Sequence, residues 1–355
     1  MESINYEGSG VNIETANNVK KQFENIVSTD AFAHCTPINK VGAFASLIEI
    51  DLNKFKHPIF VLKSEEPGSK QLLSINHNRI EWIARDLINH LINDIVVMGA
   101  TPCAVLDTII CGKLEKDIIL KLVTEISEAC KENDCILVGG ETSEQPGVLQ
   151  SGRYVLQASV FGVVDKDKVI DGLAINCGDS IIALGSNGLH TNGYSMVRKL
   201  MEEKPSITDE AILGDTFVDC ILKPHVSYAK IIKTILEKDD SGIHGMAHIT
   251  GGGIHDNLLR ILQSNDIQAN IDLSLIKIPP IFDLLRRYAG CSDTDMLTAF
   301  NNGVGLIVVA DRKKTSSIIA TSEMCGVVAY EIGNISESTG RKKVIFNNEL
   351  VWNQM

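Results

Sequence analysis

The sequence has few of the features that mark exported, membrane-spanning or disulfide-bonded proteins. Its nine cysteines form no CxxC pair, and their odd number and irregular spacing do not suit a disulfide framework. No apolar run approaches the ~18 residues of a membrane span, and residues 1–14 lack the basic region and apolar core of a signal peptide. We therefore expect a cytoplasmic protein with reduced thiols and no membrane partner.

Basic side chains are also scarce. The chain has 33 lysines and arginines against 45 aspartates and glutamates, which gives a formal net charge of -12. Nucleic-acid binding needs a face with clustered lysine and arginine, so we expect no nucleic-acid partner. An acidic protein can still bind an anionic nucleotide where glycine-rich backbone, a few lysines and a divalent cation supply local positive potential.

The length indicates two domains. Single cores rarely grow beyond ~250–300 residues, and this chain has 355 residues, of which 44% are hydrophobic. The charge cluster at 165–168 and the Asp171-Gly172 pair have the composition of a junction. We predict an N-terminal arm at 1–40, a first domain at 41–168 and a second domain at 169–355.

Helical and strand-like hydrophobic patterns follow one another along the chain, which predicts a mixed α+β or α/β fold. The predicted strands lie at 43–50, 58–63, 104–111, 135–138, 154–164, 180–184, 243–248, 269–273, 303–310 and 327–332. The predicted helices lie at 80–98, 115–132, 192–201, 226–237, 252–263 and 314–325. Residues 1–40 are polar and weakly periodic, so no element is predicted there. No repeat or heptad run indicates a solenoid or a coiled coil.

A stripe of polar residues follows one side of the helix predicted at 80–98. Asp86, His90, Asn93 and Asp94 stand at i, i+4, i+7 and i+8 in a segment otherwise rich in leucine and isoleucine. Such a stripe is either the solvated face of an ordinary amphipathic helix or one side of a polar site. A second acidic cluster further along the chain favours the polar site.

That second cluster contains Glu141 and Glu144, which come after the short strand predicted at 135–138 and the Gly139-Gly140 pair. Glycines at this point let the backbone approach a ligand closely. Carboxylates from the two elements could share a Mg²⁺ ion, whose preference for hard oxygen ligands suits bridging to phosphates.

Two glycine-rich loops each connect a strand to a helix. GSNGLHTNGYS at 185–195 follows the strand predicted at 180–184, and TGGG at 250–253 leads into a helix that carries Asn257. Such loops present unpaired N–H groups and the positive end of a helix dipole to an anion. Each loop alone could be a tight turn, and neither matches GxxxxGK[ST] or GxGxxG. Together they favour phosphate binding, with His190 as a contact.

Histidines and cysteines offer weaker candidates. His244 and His248 have HxxxH spacing, but in the predicted strand they would stand about 13 Å apart, so we expect no zinc site there. Cys103 or Cys111 could be a nucleophile, although a small buried side chain is the favoured interpretation of each.

Taken together, the motifs resemble the aminoimidazole ribonucleotide synthetases, also called phosphoribosylformylglycinamidine cyclo-ligases, of purine biosynthesis. The matching runs cover nearly the whole chain in the family's order. They are Gly10-Val-Asn-Ile13, Asn93-Asp94, Gly112-Lys-Leu114, LVGGETSEQPG at 137–147, GSNGLHTNGYSMVRK at 185–199, HITGGG at 248–253 and Phe300-Asn-Asn-Gly-Val-Gly305. Other ATP-binding families of this superfamily lack the full set.

The resemblance implies a two-domain, PurM-like ATP-binding fold and a homodimer whose N-terminal domains pair through their sheets. It implies ATP and Mg²⁺ as cofactors and a small phosphorylated molecule as substrate. In the family, ATP phosphorylates the amide oxygen of formylglycinamidine ribonucleotide. An internal nitrogen then attacks the activated carbon, expels phosphate and closes the imidazole ring.

Position by position, the resemblance also implies roles for individual residues. The catalytic residues would be Asp94, Glu141 and Lys70. The metal ligands would be Glu65, Asp94 and Glu141. The nucleotide would contact Glu65, Gly68, Ser69, Lys70, Asp86 and Asn93. The phosphorylated substrate would contact Gly188, His190, Thr191, Asn192, Gly251, Gly252, Gly253 and Asn257.

One motif departs from the family pattern. The family's Asp-Gly-Val-Gly-Thr-Lys is here Glu65-Glu-Pro-Gly-Ser-Lys70, in which Glu66 adds a negative charge and Pro67 fixes φ and removes an N–H. Three hypotheses stay open at this point. The chain is a cyclo-ligase with Glu65 in place of the aspartate, a paralogue that activates another amide in the same way, or a non-catalytic nucleotide-binding relative.

Overall fold

The structure is a computed structural model that describes residues 13–27, 35–40, 42–238, 240–340 and 343–352. Its helices are α1 (Ile13–Ile26), α2 (Lys70–Asn76), α3 (Ile80–Val96), α4 (Lys116–Glu132), α5 (Tyr194–Glu203), α6 (Phe217–Leu222), α7 (Ala229–Leu236), α8 (Gly253–Leu259), α9 (Pro280–Ala289), α10 (Asp293–Ala299) and α11 (Thr315–Met324). Its strands are β1 (Cys35–Pro37), β2 (Ile48–Ile50), β3 (Pro58–Glu65), β4 (Thr101–Cys111), β5 (Ile136–Glu144), β6 (Tyr154–Asp165), β7 (Ser180–Gly185), β8 (Ala211–Ile212), β9 (Asp215–Thr216), β10 (Ile243–His248), β11 (Ile267–Asp272), β12 (Val304–Ala310), β13 (Ala329–Glu337) and β14 (Val344–Asn347).

The chain divides into two compact units, so the predicted two-domain architecture is confirmed. The first unit comprises the residues up to Ile95 together with Ala100–Lys168. The second unit comprises Val96–Gly99 and the residues from Val169 onwards. Within the described part of the chain, no helix is both long enough and apolar enough to cross a membrane.

The first unit is built on a four-stranded sheet with the strand order β3-β6-β4-β5. Pairing is antiparallel from β3 to β6 and from β6 to β4, and parallel from β4 to β5. Along β4, alternate side chains such as Val105 and Ile109 are fully buried on one side of the sheet. Helix α3 lies on this side, since its Asp94 contacts Lys63 of β3 and its Ile95 lies beside Gly162 of β6. We call this side of the sheet the helix face.

The opposite side of the same sheet, which we call the open face, carries exposed apolar side chains. Phe60 and Leu62 on β3 are 54% and 75% exposed, and Leu106 on β4 and Val155 on β6 are 45% and 38% exposed. The rings of Phe60 and Phe161 lie 5.3 Å apart between their centres. Apolar surface of this kind on a monomer usually marks an interaction site.

The second unit is built on a six-stranded sheet with the order β10-β12-β7-β13-β11-β14. Every residue of β12 is buried, as expected of a central strand covered on both faces. Both β10 and β7 run antiparallel to β12. They therefore run parallel to each other, and the loops that follow them leave from the same edge of the sheet.

The predicted mixed fold class is confirmed, and most predicted elements are present with boundaries that differ by a few residues. The strand predicted at 135–138 is longer, because parallel pairing with β4 continues through Glu144. Gly139, Gly140 and Glu141 consequently lie within β5 and not in a turn after it. The strand predicted at 43–50 is reduced to β2, because among the described strands β2 pairs with the three-residue β1 alone.

Five helices were not predicted from the hydrophobic pattern. One of them, α1, falls in the segment predicted as an arm, and Ile26 at its end accepts a hydrogen bond from Ser127 of α4 at 3.2 Å. Residues 10–12 of the motif at 10–13, and the parts of the arm outside 13–27 and 35–40, lie outside the described residues.

The other four unpredicted helices are α2, α6, α9 and α10, which have seven, six, ten and seven residues. Elements this short give little periodic signal.

Candidate functional site

Charged side chains of the first unit meet where β3 ends beside α3. Lys63 Nζ lies 3.0 Å from Glu65 Oε2 and 2.9 Å from Asp94 Oδ2. Lys63 and Glu65 are two residues apart on β3, so both side chains leave the helix face of the sheet. His90, one turn before Asp94 on α3, places Nε2 3.7 Å from Glu65 Oε2 and 4.0 Å from Asp94 Oδ2. We call these four residues the Lys63 cluster.

The Lys63 cluster keeps its ammonium charged. Although partial burial acts in the opposite direction, hydrogen bonds and attraction from Asp94 and Glu65 raise the pKa of Lys63. Two of the three predicted metal ligands, Glu65 and Asp94, thus direct a carboxylate oxygen at a cation that belongs to the protein. The ammonium stands about 3 Å from these oxygens, whereas Mg²⁺ binds oxygen at about 2.1 Å. As arranged in this structure, Glu65 and Asp94 do not fit a Mg²⁺ site.

The third predicted metal ligand, Glu141, lies elsewhere on the sheet. Glu65 pairs with Ala158 on β6, which pairs with Asp107 on β4, which pairs with Gly140 on β5. These four paired residues form a line across the sheet. From β3 to β5 the line crosses three strand spacings, or about 14 Å between main chains. Glu141 comes one residue after this line and therefore faces the open side. The structure brings Glu65 and Asp94 together but does not bring Glu141 to them.

A carboxyl group that the sequence analysis did not single out lies beside Glu141. Asp107 on β4 is 7% exposed, and burial, with a smaller contribution from the negative charge of Glu141, raises its pKa to about 7. A Cβ atom at Gly140 would collide with the Asp107 carboxyl group, so glycine is required on the neighbouring strand. A lone aspartate in an apolar strand was the available sequence signal for this buried acid.

Lys70 and Asp86, both predicted to contact the nucleotide, form a buried ion pair. Lys70 Nζ lies 2.7 Å from Asp86 Oδ2, and both side chains have 0% exposure. Burial lowers the pKa of Lys70, while the attraction of Asp86 partly offsets that effect. Asn93 on the same face of α3 is also fully buried. In this structure these three side chains belong to the interior of the first unit, so none of them is open to a ligand.

The loop that departs from the family pattern connects β3 to α2. Glu66 is exposed, and its backbone N–H donates to Glu65 Oε1 at 3.1 Å. Pro67 is buried, Gly68 has a φ of 62°, and Ser69 makes no side-chain cap at the start of α2. The two glutamates therefore differ in environment, because Glu65 joins the Lys63 cluster and Glu66 stands in solvent.

The first glycine-rich loop of the second unit runs from the end of β7 to the start of α5. Ser186 Oγ donates to the carbonyl of Gly188 and to Asn301 Oδ1, each at 3.0 Å. Asn301 in turn donates to the Gly188 carbonyl at 3.0 Å. These hydrogen bonds fix the backbone conformation of the loop before α5. Asn301 was part of a quoted motif but was not assigned a role from the sequence.

His190, in the middle of that loop, has an unusual backbone conformation. Its φ is 60°, a value that non-glycine residues seldom adopt outside functional or strained sites. Its fully buried ring stacks on His225 with 4.1 Å between ring centres. Thr191 Oγ1 lies 2.9 Å from His225 Nε2. The loop thus holds two of its predicted substrate contacts, His190 and Thr191, against a second buried histidine, His225.

The second glycine-rich loop follows β10 and is held by Asn257. The Asn257 amide donates to the carbonyls of Thr250, Gly251 and Gly253 at 3.3, 3.2 and 2.8 Å. Gly253 has a φ of 63°, and a Cβ atom there would collide with the carbonyl of Leu297. Asn257, predicted as a substrate contact, is 2% exposed, so its amide shapes the loop.

The two glycine-rich loops meet at Asn192 and Gly251. Asn192 Oδ1 lies 3.8 Å from the position that a Cβ atom would take at Gly251. The Nδ2 atom of Asn192 is buried and has no hydrogen-bond acceptor among the residues that the structure describes. A buried amide donor without an acceptor, placed between two glycine-rich loops, suits an oxygen acceptor of a ligand.

Three buried histidines of the second unit come close enough to suggest a metal site. Ring nitrogens of His190, His225 and His248 all lie within 4.8 Å of one another. However, the His190 and His225 rings are stacked with only 27° between their planes. The ring lone pairs lie in the ring planes, so two stacked rings cannot both point at one ion in the tetrahedral arrangement of zinc. This group does not fit a metal centre.

The histidine pair and the cysteines that the sequence disfavoured also lack the required geometry. His244 Nδ1 lies at hydrogen-bond distance, 2.8 Å, from Asp179 Oδ2 near the start of β10, away from His248 at its end. Burial raises the pKa of Cys103 to about 12 and that of Cys111 to about 11, so both thiols stay protonated at neutral pH.

The sequence matches a known family in both halves. Residues 63–164 match the N-terminal domain, and residues 176–345 the C-terminal domain, of the family described as AIR synthase related protein. The phosphoribosylformylglycinamidine cyclo-ligase of Thermoanaerobacter sp. (strain X514) is 36% identical over 340 residues, which are 95% of this chain and 99% of that protein. The chain belongs to the phosphoribosylformylglycinamidine cyclo-ligase family.

A second relative and a solved structure extend the comparison. The cyclo-ligase of Lawsonia intracellularis (strain PHE/MN1-00) is 35% identical over 343 residues, which are 96% of this chain and 97% of that protein. The crystal structure of hydrogenase maturation protein HypE in complex with ATP has a TM-score of 0.63, with 16% identity over 88% of this chain and 90% of that chain. This second likeness concerns the fold, and it confirms the two-domain, PurM-like fold that the resemblance predicts.

In this member of the cyclo-ligase family, Lys63 contacts two predicted site residues but was not itself predicted from the sequence. It stands outside the motif at 65–70, and no motif marks it. The available signal was the strand itself, because positions 63 and 65 of a β-strand share a face and carry opposite charges here. The partner on α3 could not be read from the sequence, since it depends on how α3 packs on the sheet.

We predict that Lys70→Met destabilises the first unit by about 3–5 kcal/mol, because it leaves the buried Asp86 carboxylate without its partner. The measurement is urea unfolding followed by the fluorescence of Trp82, in a Trp352→Phe background so that one tryptophan reports. The double variant Lys70→Met/Asp86→Asn should recover most of the loss. A single variant that unfolds at the same urea concentration as the parent would contradict the importance of this pair.

We predict a pH-dependent stability that disappears in Asp107→Asn. The pKa of this carboxyl group rises from 3.8 to about 7 on folding, so between these values the folded chain holds a proton that the unfolded chain has released. Stability should therefore fall as pH rises from about 4 to about 7, by up to about 4 kcal/mol relative to the variant. Unfolding free energies across this range test it, with exposed Asp117→Asn as the control. Parallel curves for parent and Asp107→Asn would refute it.

Proposed function

We propose that this chain catalyses the ATP-dependent ring closure of formylglycinamidine ribonucleotide to aminoimidazole ribonucleotide, with release of ADP and phosphate. The observation that carries the proposal is membership of the cyclo-ligase family across nearly the whole chain, including both family domains. A paralogue acting on another amide would keep the ATP side of the site and change the substrate side. Here the substrate-side loops at 185–193 and 250–253 keep the family sequence, which supports the cyclo-ligase activity.

The reaction needs an amide oxygen to leave, which is difficult without activation. Transfer of the terminal phosphoryl group of ATP to that oxygen turns it into part of a good leaving group. A nitrogen of the same substrate then attacks the activated carbon, the C–O bond to phosphate breaks, and the nitrogen loses its extra proton. The protein contributes by holding the two reacting ends together and by stabilising the charge on the transferring group.

The second unit is the proposed binding site for the ribose phosphate of the substrate. The loops after β7 and β10 leave the same sheet edge and meet at Asn192, whose buried Nδ2 is placed to donate to a phosphate oxygen. Gly188, His190, Thr191, Gly251, Gly252 and Gly253 would line this site. Asn257 would act as a positioning residue that fixes the course of the second loop.

The first unit is the proposed nucleotide domain. The solved HypE structure contains ATP on a fold of this kind, which supports ATP as the phosphoryl donor. Glu65, Gly68 and Ser69 are the members of the predicted nucleotide set that stay partly accessible. Mg²⁺ would enter with the nucleotide and not through a set made of Glu65, Asp94 and Glu141. Asp94 and Glu141 lie on opposite faces of the sheet, so the two carboxylates cannot orient one amidine together. Asp94, beside the predicted nucleotide residues, stays the proposed catalytic carboxylate of this unit.

The proposed assembly is a homodimer in the cytoplasm. The exposed apolar side chains of the open face support pairing between two copies, because a closed two-fold interface would remove this surface from water. The residues that would be covered are Phe60, Leu62, Leu106 and Val155.

We predict that the purified protein, given ATP, Mg²⁺ and formylglycinamidine ribonucleotide, forms ADP, phosphate and imidazole product in equal amounts. Asn192→Asp should raise the KM for the ribonucleotide by about 10- to 100-fold, because a carboxylate replaces a donor to the phosphate. Steady-state kinetics measure both effects. Asn187→Asp places the same charge at an exposed position of the same loop and should leave the KM within a few-fold of the parent.

No turnover in a protein that still binds ATP would overturn the cyclo-ligase proposal and would favour the paralogue or the non-catalytic relative. An equal rise in KM in both variants would instead overturn the assignment of Asn192 to the substrate phosphate.

We predict that Leu62→Glu converts a dimer to a monomer, because it would bury a charge in the proposed open-face interface. Light scattering coupled to size-exclusion chromatography measures the mass. Leu173→Glu is the matched control, since Leu173 is 74% exposed against 75% for Leu62 but lies in the second unit. A parent that is monomeric at all accessible concentrations, or a Leu62→Glu variant that stays dimeric, would argue against pairing through this face.

A further inference from the structure

The Lys63 cluster already has the geometry of an occupied cation site. One ammonium group bridges two carboxylates that come from different elements, with Nζ to oxygen distances of 3.0 and 2.9 Å. The side chains of Glu65 and Asp94 are 23% and 18% exposed, so they are partly shielded from water. Shielding strengthens the attraction between the ammonium and both oxygens relative to a surface ion pair.

The scaffold holds the ammonium in place. Lys63 and Glu65 are fixed relative to each other because both belong to β3, and β3 pairs with β6 along its whole length. Asp94 belongs to the long helix α3, and His90 one turn earlier borders the same oxygens. A divalent ion that bound Glu65 Oε2 and Asp94 Oδ2 at about 2.1 Å would stand within about 4 Å of the ammonium and would be repelled by it.

We propose that Lys63 is a resident cation that takes the place of a divalent metal ion at the Glu65–Asp94 carboxylate pair. It acts as a positioning residue, because it fixes the two carboxylates through charge and hydrogen bonds, and as a specificity-determining residue, because it excludes metal from them. The assignment of this pair to the nucleotide side rests on the proposed function, but the exclusion of metal does not. The divalent ion required for turnover is then only the one that accompanies ATP.

Manganese binding without nucleotide tests this inference, because Mn²⁺ prefers the same hard oxygen ligands as Mg²⁺ and its free concentration is measured directly by electron paramagnetic resonance. The wild-type chain should show no site that depends on Asp94. Lys63→Met keeps roughly the length of the side chain and removes its charge, so this variant should gain one Mn²⁺ site. Its affinity should exceed by at least tenfold the affinity of the wild type for Mn²⁺ at Asp94. Lys63→Met/Asp94→Asn should lose that site again.

Two further variants make the result specific to this lysine. Lys63→Arg keeps a cation between the carboxylates and should gain no site. Lys54→Met removes a lysine of the same unit, which lies 3.9 Å from Asp51, and should also gain none. Circular dichroism and thermal unfolding of each variant establish that it is folded. If Lys63→Met does not fold, Lys63→Gln replaces it in the same comparison.

The inference is overturned if the wild type binds Mn²⁺ at a site that Asp94→Asn removes, or if neither folded neutral variant of Lys63 gains a site. Its failure can be told apart from failure of the proposed function. A protein that excludes Mn²⁺ as expected but does not close the imidazole ring refutes only the cyclo-ligase activity. A protein that closes the ring but binds Mn²⁺ through Glu65 and Asp94 refutes only the role of Lys63.

Discussion

The buried ion pair between Lys70 and Asp86 determines how the charged end of the first unit is arranged. Two unpaired charges in that interior would be very unfavourable, so α2 must begin where Lys70 can reach α3. This ties the loop at 66–69 to the helix that carries His90 and Asp94. The end of β3 then comes to lie beside α3, which brings Lys63 and Glu65 to Asp94. The substitutions in the loop leave this anchor intact, because Lys70 is the member of the motif that the fold needs.

The glycine-rich loops of the second unit are brought together by a different constraint. Its constraint is the buried central strand β12, which places β7 and β10 on either side of it in the same direction. Both glycine-rich loops therefore open at one sheet edge. Hydrogen bonds from Ser186, Asn301 and Asn257 to loop carbonyls fix the two loops. The amide Nδ2 of Asn192 is a buried donor that has no acceptor among the described residues.

The two units also differ in how far they keep the family pattern. In the second unit, the glycine-rich loops agree with the sequences of the family, and the structure shows why Gly253 and Asn257 are needed there. In the first unit, the motif at 65–70 departs from the family pattern, and Lys63 on the strand before it neutralises the carboxylates of Glu65 and Asp94. A working cyclo-ligase of this kind would bring its divalent ion with ATP, which separates the activation of the amide oxygen from any metal held by the protein alone.

The sequence by itself determined the fold class, the two-domain organisation, the family and most of the strands, because these follow from hydrophobic period and from motifs that are contiguous in the chain. It also identified the two glycine-rich loops. Only the tertiary structure decided which side chains meet. Strand order separates Glu141 from Glu65 by three spacings, packing of α3 buries Lys70 with Asp86, and the shared face of β3 brings Lys63 to Asp94. These outcomes depend on which strand pairs with which and on how a helix covers a sheet, and local sequence does not specify either.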